Sequence, residues 1–189
     1  AIYFATDNGA HVINMSLGSP DASRTIERAL AFAYASGVTI VCAAGDDFED
    51  GNPPSYPAAY NDYCIAVGAV RYDDTRAYYS NTGAYLDVAA PGGDLLVDQN
   101  RDGYPDGVLQ QTFTVDPGTF NYYFFQGTSS AAPHVSGVAA LLISQGLADP
   151  DAVRAAIEGT ARDVGPAGWD AQYGWGVVDA YAALRYGAP

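Results

Sequence analysis

The residues best suited to chemistry lie together in Gly127-Thr128-Ser129-Ser130-Ala131-Ala132-Pro133-His134-Val135-Ser136-Gly137. The pattern is a glycine, then serines, then a good helix. Gly127 lets another stretch of backbone approach closely. Ser129 stands at the helix start, where free backbone N–H groups and the helix dipole favour negative charge. That position suits a hydroxyl whose attack on a carbonyl carbon creates an oxyanion. A serine there also has a simpler use, as the N-cap of its helix. A serine nucleophile further requires a base within hydrogen-bond reach and a carboxylate to orient that base. The sequence holds two histidines, His11 and His134. His134 follows Ser129 by five positions, about 140° around a helix, so it faces away from the serine. His11 precedes a strand-like run and reads as a satisfied structural residue.

A second cluster of oxygen donors lies in Asp98-Gln99-Asn100-Arg101-Asp102-Gly103-Tyr104-Pro105-Asp106-Gly107. Asp98, Asn100 and Asp102 take positions one, three and five of a calcium-type loop, Gly103 position six and Asp106 position nine. Position twelve is Leu109, so the usual bidentate glutamate is missing. The segment reads either as an incomplete Ca²⁺ loop or as an acidic surface turn.

The elements that must position these residues alternate between short apolar runs and helical patterns. His11–Met15, Val38–Ala43 and Cys64–Val70 read as buried strands, and residues 22–36 read as a helix ended by Gly37. Strand–helix–strand with continuously apolar strands predicts an α/β fold: a mostly parallel sheet covered on both faces. Residues 45–62 and 91–126 read as long loops with local strands. Helices are expected over 129–145, from Asp149-Pro150 onward (Asp as N-cap, Pro at the first helical position), and over 179–186.

With 189 residues, 49% apolar and 16% charged, the chain is long enough for one domain with a real core. Its net charge is −14 and all eight basic residues are arginine. Such a surface disfavours nucleic acid and anionic membranes as partners. It suits a protein in high salt or outside the cell equally well. No apolar run approaches the ~20 residues that cross a bilayer. The sequence opens at Ala1 within a helical pattern, with neither Met nor a signal-peptide pattern, which implies a processed, truncated or partial chain. Cys42 and Cys64 read as two buried thiols or as one disulfide between neighbouring strands.

The stretch 127–137 resembles the nucleophile motif of the subtilases, the subtilisin-like serine proteases. Other segments match in the expected order. These are Val12-Ile13-Asn14-Met15-Ser16-Leu17-Gly18, Ala43-Ala44-Gly45-Asp46, Tyr56-Pro57-Ala58-Ala59-Tyr60, Ile65-Ala66-Val67-Gly68-Ala69, Tyr79-Ser80-Asn81-Thr82-Gly83, Asp87-Val88-Ala89-Ala90-Pro91-Gly92 and Gly174-Trp175-Gly176-Val177-Val178-Asp179-Ala180. The resemblance implies a three-layer subtilisin-like fold, with residues 1–189 forming the C-terminal portion of a single catalytic domain. It implies a serine endopeptidase with Ser129 as nucleophile, and with the triad's aspartate and histidine upstream of Ala1. The segment alone is therefore expected to be inactive. Ser16, Leu17 and Gly18 would pair with the substrate backbone as an added strand. Ala43, Ala44 and Gly45 would floor a roomy apolar specificity pocket. The resemblance further implies secretion, a peptide or protein substrate, an inhibitory propeptide, and no cofactor required for the chemistry; the 98–107 loop adds a candidate structural Ca²⁺ site.

One residue departs from the family pattern. Asp46 stands where subtilases normally carry asparagine, whose amide donates to the oxyanion. An ionised aspartate only accepts hydrogen bonds, so the departure predicts activity that favours low pH. Aspartate at this place also occurs in a few relatives, among them one prohormone convertase. The alternative function is an inactive pseudoprotease or peptide-binding module that keeps the cleft. A different serine hydrolase would show Gly-x-Ser-x-Gly, and Gly127-Thr128-Ser129-Ser130-Ala131 lacks the second glycine.

Overall fold

The computed structural model describes residues 1–186. Its centre is a four-stranded parallel sheet of β1 (Val12–Met15), β2 (Thr39–Ala43), β3 (Cys64–Val70) and β4 (Val88–Pro91), hydrogen-bonded in that order. Residues along β2 and β3 alternate between two faces, as the pleat requires. Val41, Ala43, Ile65, Val67 and Ala69 pack on one side against α3 (Thr128–Ser144) and α4 (Pro150–Thr160). Ile40, Cys42, Cys64 and Ala66 pack on the other side, where α2 (Arg24–Ala35) supplies Leu30 and Ala33. The expected three-layer α/β architecture with a covered parallel sheet is thus observed.

Several boundaries differ from expectation. The first helix, α1 (Ile2–Asp7), agrees with the helical pattern at the start of the sequence and carries no buried residue. α2 begins at Arg24 because Ser23 caps it, its Oγ accepting from the Ile26 N–H. α4 begins as expected: Asp149 Oδ1 accepts the Ala152 N–H at 3.0 Å and Pro150 opens the helix. The last helix, α5, spans only Ala180–Ala183. β1 is not the buried strand that its apolar sequence suggested. It pairs with β2 alone among the described strands, so Val12 and Ile13 are half-buried, and Asn14 is exposed. His11, just before it, is exposed as well. The long segment after β4 contains an antiparallel hairpin of β5 (Val108–Thr112) and β6 (Asn121–Phe125).

Cys42 and Cys64 are free thiols, both fully buried. Cys42 sits opposite Ala66, and Cys64 opposite Ile40, so the two are offset by two positions across neighbouring strands. Burial pushes the Cys42 thiol well above its ordinary value, and its hydrogen bond to Cys64 adds to the effect. Of the two readings of this pair, buried small hydrophobes is the one observed.

Asp87, at the entry to β4, anchors α4 to the sheet. One carboxylate oxygen accepts the Ala66 N–H at 2.6 Å and the other accepts from the Arg154 guanidinium. Arg154 also donates to Asn61 and to Glu158 one helical turn on. Burial pushes the Asp87 carboxyl up to about 7, against the downward pull of Arg154 and of the Ala66 N–H.

Candidate active site

The sheet delivers the ends of β1 and β2 to the first turn of α3. Gly127 is that helix's N-cap, with φ +140° and no side-chain cap of its own. Its N–H donates to Gly92 O at 3.0 Å and to the Tyr79 hydroxyl at 2.9 Å, while that hydroxyl donates to Gly93 O. Tyr79 is buried, and burial raises its phenol further above its ordinary value. A Cβ on Gly127 would lie 2.8 Å from Ser129 Oγ and 2.9 Å from Asp46 Oδ2. Both space and backbone conformation therefore require glycine here. They also place the Ser129 hydroxyl and the Asp46 carboxylate around one point.

The helix lacks a cap from its own segment and receives one from 82 residues away. Asp46 Oδ1 accepts the Thr128 N–H at 2.7 Å and the Thr128 hydroxyl at 2.8 Å. The Thr128 hydroxyl in turn accepts the Gly45 N–H at 3.1 Å. A carboxylate at a helix N-terminus is electrostatically favourable. Asp46 is thus an acceptor serving the helix, with Oδ2 left toward Ser129. Ser130 N–H bonds to Gly127 O. Ser129 N–H has no partner among the described residues, which leaves one first-turn donor free. Ser129 itself is exposed.

A cavity of about 250 Å³ adjoins Ser129 and is lined by Ser16, Leu17, Gly18, Ala43, Gly45, Asp46, Asp47, Ser55 and Thr128. Most of the residues expected at a cleft do meet here. Ala44 does not: it is fully buried and points to the opposite face of the sheet, in the cluster with Leu30 and Cys42. Adjacent strand residues point to opposite faces, so Ala43 and Ala44 cannot both floor one pocket. Asp46, Asp47, Ser16 and Ser55 also make the lining more polar than expected. Two contributors escaped sequence reasoning. Buried Asn81 accepts the Asp47 N–H at 2.8 Å and donates to Pro53 O at 2.9 Å, which clamps the turn after β2. Tyr85 donates its hydroxyl to Ala44 O at 2.9 Å. Their only sequence signal was membership in, or nearness to, the segment 79–83.

A model of the subtilase family matches residues 1–176. The chain belongs to that family. It is 39% identical over 187 residues to subtilisin DY of Bacillus licheniformis, covering 97% of this chain and 60% of that protein. It is 36% identical over 185 residues to thermitase of Thermoactinomyces vulgaris, covering 98% of this chain and 58% of thermitase. Among solved structures, fervidolysin of Fervidobacterium pennivorans, a keratinolytic enzyme related to subtilisin, superposes with a TM-score of 0.81 at 33% identity. That match covers all of this chain and 28% of fervidolysin. The chain therefore spans less than two thirds of these relatives' lengths.

Neither histidine of this subtilase chain bonds to Ser129 among the described residues. His134 turns its Nδ1 to Ser130 O at 2.9 Å, within its own helix. In the loop after β4, Asp98 accepts the Asp102 and Gly103 N–H groups, Asn100 accepts the Asp102 N–H, and Asp102 accepts the Tyr104 N–H. Asp106 is turned to the Gln99 N–H and is largely buried. Among the described residues, no three His, Cys, Asp or Glu side chains are grouped to hold a metal ion.

Proposed function

We propose that this chain is the nucleophile-bearing part of a serine endopeptidase that cleaves peptide bonds through an acyl-enzyme on Ser129. The observation that carries the reading is the coincidence, beside one cavity, of an exposed Ser129 hydroxyl and a Ser129 N–H without a partner among the described residues, at the start of α3. A peptide lying along Ser16–Gly18 as an added strand would bring its carbonyl carbon to the hydroxyl. The helix N-terminus and the Ser129 N–H would then receive the oxyanion. The base and its orienting carboxylate come from sequence upstream of Ala1, so residues 1–189 by themselves do not hydrolyse peptides efficiently. Oxyanion stabilisation and binding alone leave about 10³–10⁴ over water, far too little for a protease. Secretion and an inhibitory propeptide belong to the same reading, supported by the likeness to subtilisins. So does a structural Ca²⁺ held by the hard oxygens of Asp98, Asn100 and Asp102, with Asp106 left out.

A second reading, a peptide-binding module without catalysis, is favoured by one observation. Asp46 accepts both of its hydrogen bonds and offers no donor where the family places an amide. Peptide hydrolysis by the complete domain, compared with its Ser129→Ala variant, decides between the two. The endopeptidase reading expects hydrolysis that Ser129→Ala abolishes. Peptide binding without turnover in both proteins selects the module.

A further inference from the structure

Pro133 lies inside α3, at the fourth position after Ser129. In a regular helix the N–H of residue 133 would bond to the carbonyl of residue 129. Proline has no N–H, so the Ser129 carbonyl is orphaned by the helix's own sequence. That carbonyl is nevertheless bonded: Ser16 Oγ donates to it at 2.7 Å, from 113 positions away. Ser16 is held in turn, because Asn14 Nδ2 donates to Ser16 Oγ at 2.9 Å. Asn14 is held by α3 again, because Ser136 Oγ lies 2.9 Å from Asn14 Oδ1 and 3.1 Å from Ala132 O. The result is a closed polar ring, Ser129–Ser16–Asn14–Ser136, that leaves α3 at its first turn and returns one turn past Pro133.

From this ring the geometry points to Asn14 and Ser136 as positioning residues for Ser129, acting through Ser16. The inference rests on the reading of Ser129 as nucleophile. Its logic is directional. Ser16 has one proton and donates it to Ser129 O. Asn14 offers Ser16 a donor, so it leaves that proton free for Ser129. Ser136 fixes the Asn14 amide with its oxygen toward α3 and its nitrogen toward Ser16. Pro133 has removed the backbone bond that a regular helix would supply there. The ring stands in for a missing helical hydrogen bond at the residue whose hydroxyl must be placed to within a fraction of an ångström, and small misplacements of a reacting group cost up to about 10² in rate.

The decisive substitution is Asn14→Asp in the complete domain. It preserves shape but removes the donor: a carboxylate accepts from Ser16 and draws its proton away from Ser129. The measurement is the second-order rate of fluorophosphonate labelling at Ser129, with kcat and KM for a peptide substrate and the melting temperature alongside. Asn14→Asp and Ser136→Ala are expected to slow labelling by about 10-fold and lower kcat with KM unchanged, the tenfold step corresponding to about 1.4 kcal/mol at the barrier. Ser136→Thr, which restores a hydroxyl, is expected to label at the parent rate. Pro133→Ala returns the N–H, so Asn14→Asp in that background is expected to be silent. Labelling of Ser129 at the parent rate in both Asn14→Asp and Ser136→Ala would overturn the inference while leaving Ser129 as the nucleophile. So would an equal loss from Asn14→Asp in the Pro133→Ala background. Absence of labelling in the parent protein, by contrast, would count against the endopeptidase reading itself.

Discussion

Asp46→Asn separates what residue 46 does for the helix from what it withholds from the reaction. The side chain changes by one atom, and the Oδ1 acceptor that holds the Thr128 N–H and hydroxyl is preserved. The other oxygen, 2.9 Å from the point that a Gly127 Cβ would occupy, becomes an NH₂ beside Ser129 Oγ, itself 2.8 Å from the same point. The amide can then donate to the oxyanion. One such donor is worth about 10²–10³ in kcat, a magnitude that comes from a subtilisin and is carried over to this chain. The helix loses in exchange. A carboxylate near a helix N-terminus stabilises it by about 0.3–1 kcal/mol, and hydrogen bonds to a charged acceptor exceed neutral ones by about 1 kcal/mol when well shielded. Asp46 is exposed, so we expect a loss near ~1 kcal/mol, or about 2–4 °C for a domain of this size. The assay is kcat at neutral pH on a peptide substrate, with calorimetry on the same preparations of the complete domain. A faster, less stable Asn variant supports the account. Equal kcat would mean that residue 46 does not face the oxyanion, and an equal melting temperature that its charge adds nothing to the start of α3.

Three further outcomes follow from the same geometry. Gly127→Ala puts a Cβ against Ser129 Oγ and Asp46 Oδ2 at φ +140°; it should cost about 1–3 kcal/mol of stability and most of the activity, and a variant with parent-like melting and turnover would refute the tight N-cap. Burial raises the Asp87 carboxyl to about 7 in the folded chain, whereas the unfolded chain releases that proton near ~3.9. The folded state therefore binds the extra proton between these values, and this contribution is full at low pH and lost as pH rises through about 7. Asp87→Asn should flatten that slope, and parallel stability–pH curves for parent and variant would contradict it. Calcium should raise the melting temperature of the complete domain, and Asp98→Ala with Asp102→Ala should abolish the rise; no calcium effect on the parent leaves the segment an acidic surface turn.

What sequence could and could not disclose divides along contact distance. The continuous apolar runs of β2 and β3 announced buried parallel strands because both faces of each are covered within this chain. The equally apolar β1 is only half-buried among the described residues, because strand burial depends on neighbours and only β2 pairs with it there. The start of α3 was legible because a glycine, two serines and a good helix-forming run are consecutive. Asp46 was legible as a departure, but its role as a cap for α3 was not, because the Thr128 contact spans 82 residues. The Asn81 clamp and the Ser16 hydroxyl on Ser129 O are long-range for the same reason. Pro133 does announce in sequence that Ser129 O loses its helical donor; only the fold reveals which side chain replaces it.

If Ser129 is the residue acylated in turnover, covalent modification by an active-site reagent must map to it. The complete domain would be treated with a fluorophosphonate, digested, and the modified peptide sequenced by mass spectrometry. A single adduct on Ser129, absent in Ser129→Ala, is the expected result. An adduct on Ser130 would contradict it, as would no adduct on a protein that still cleaves peptides.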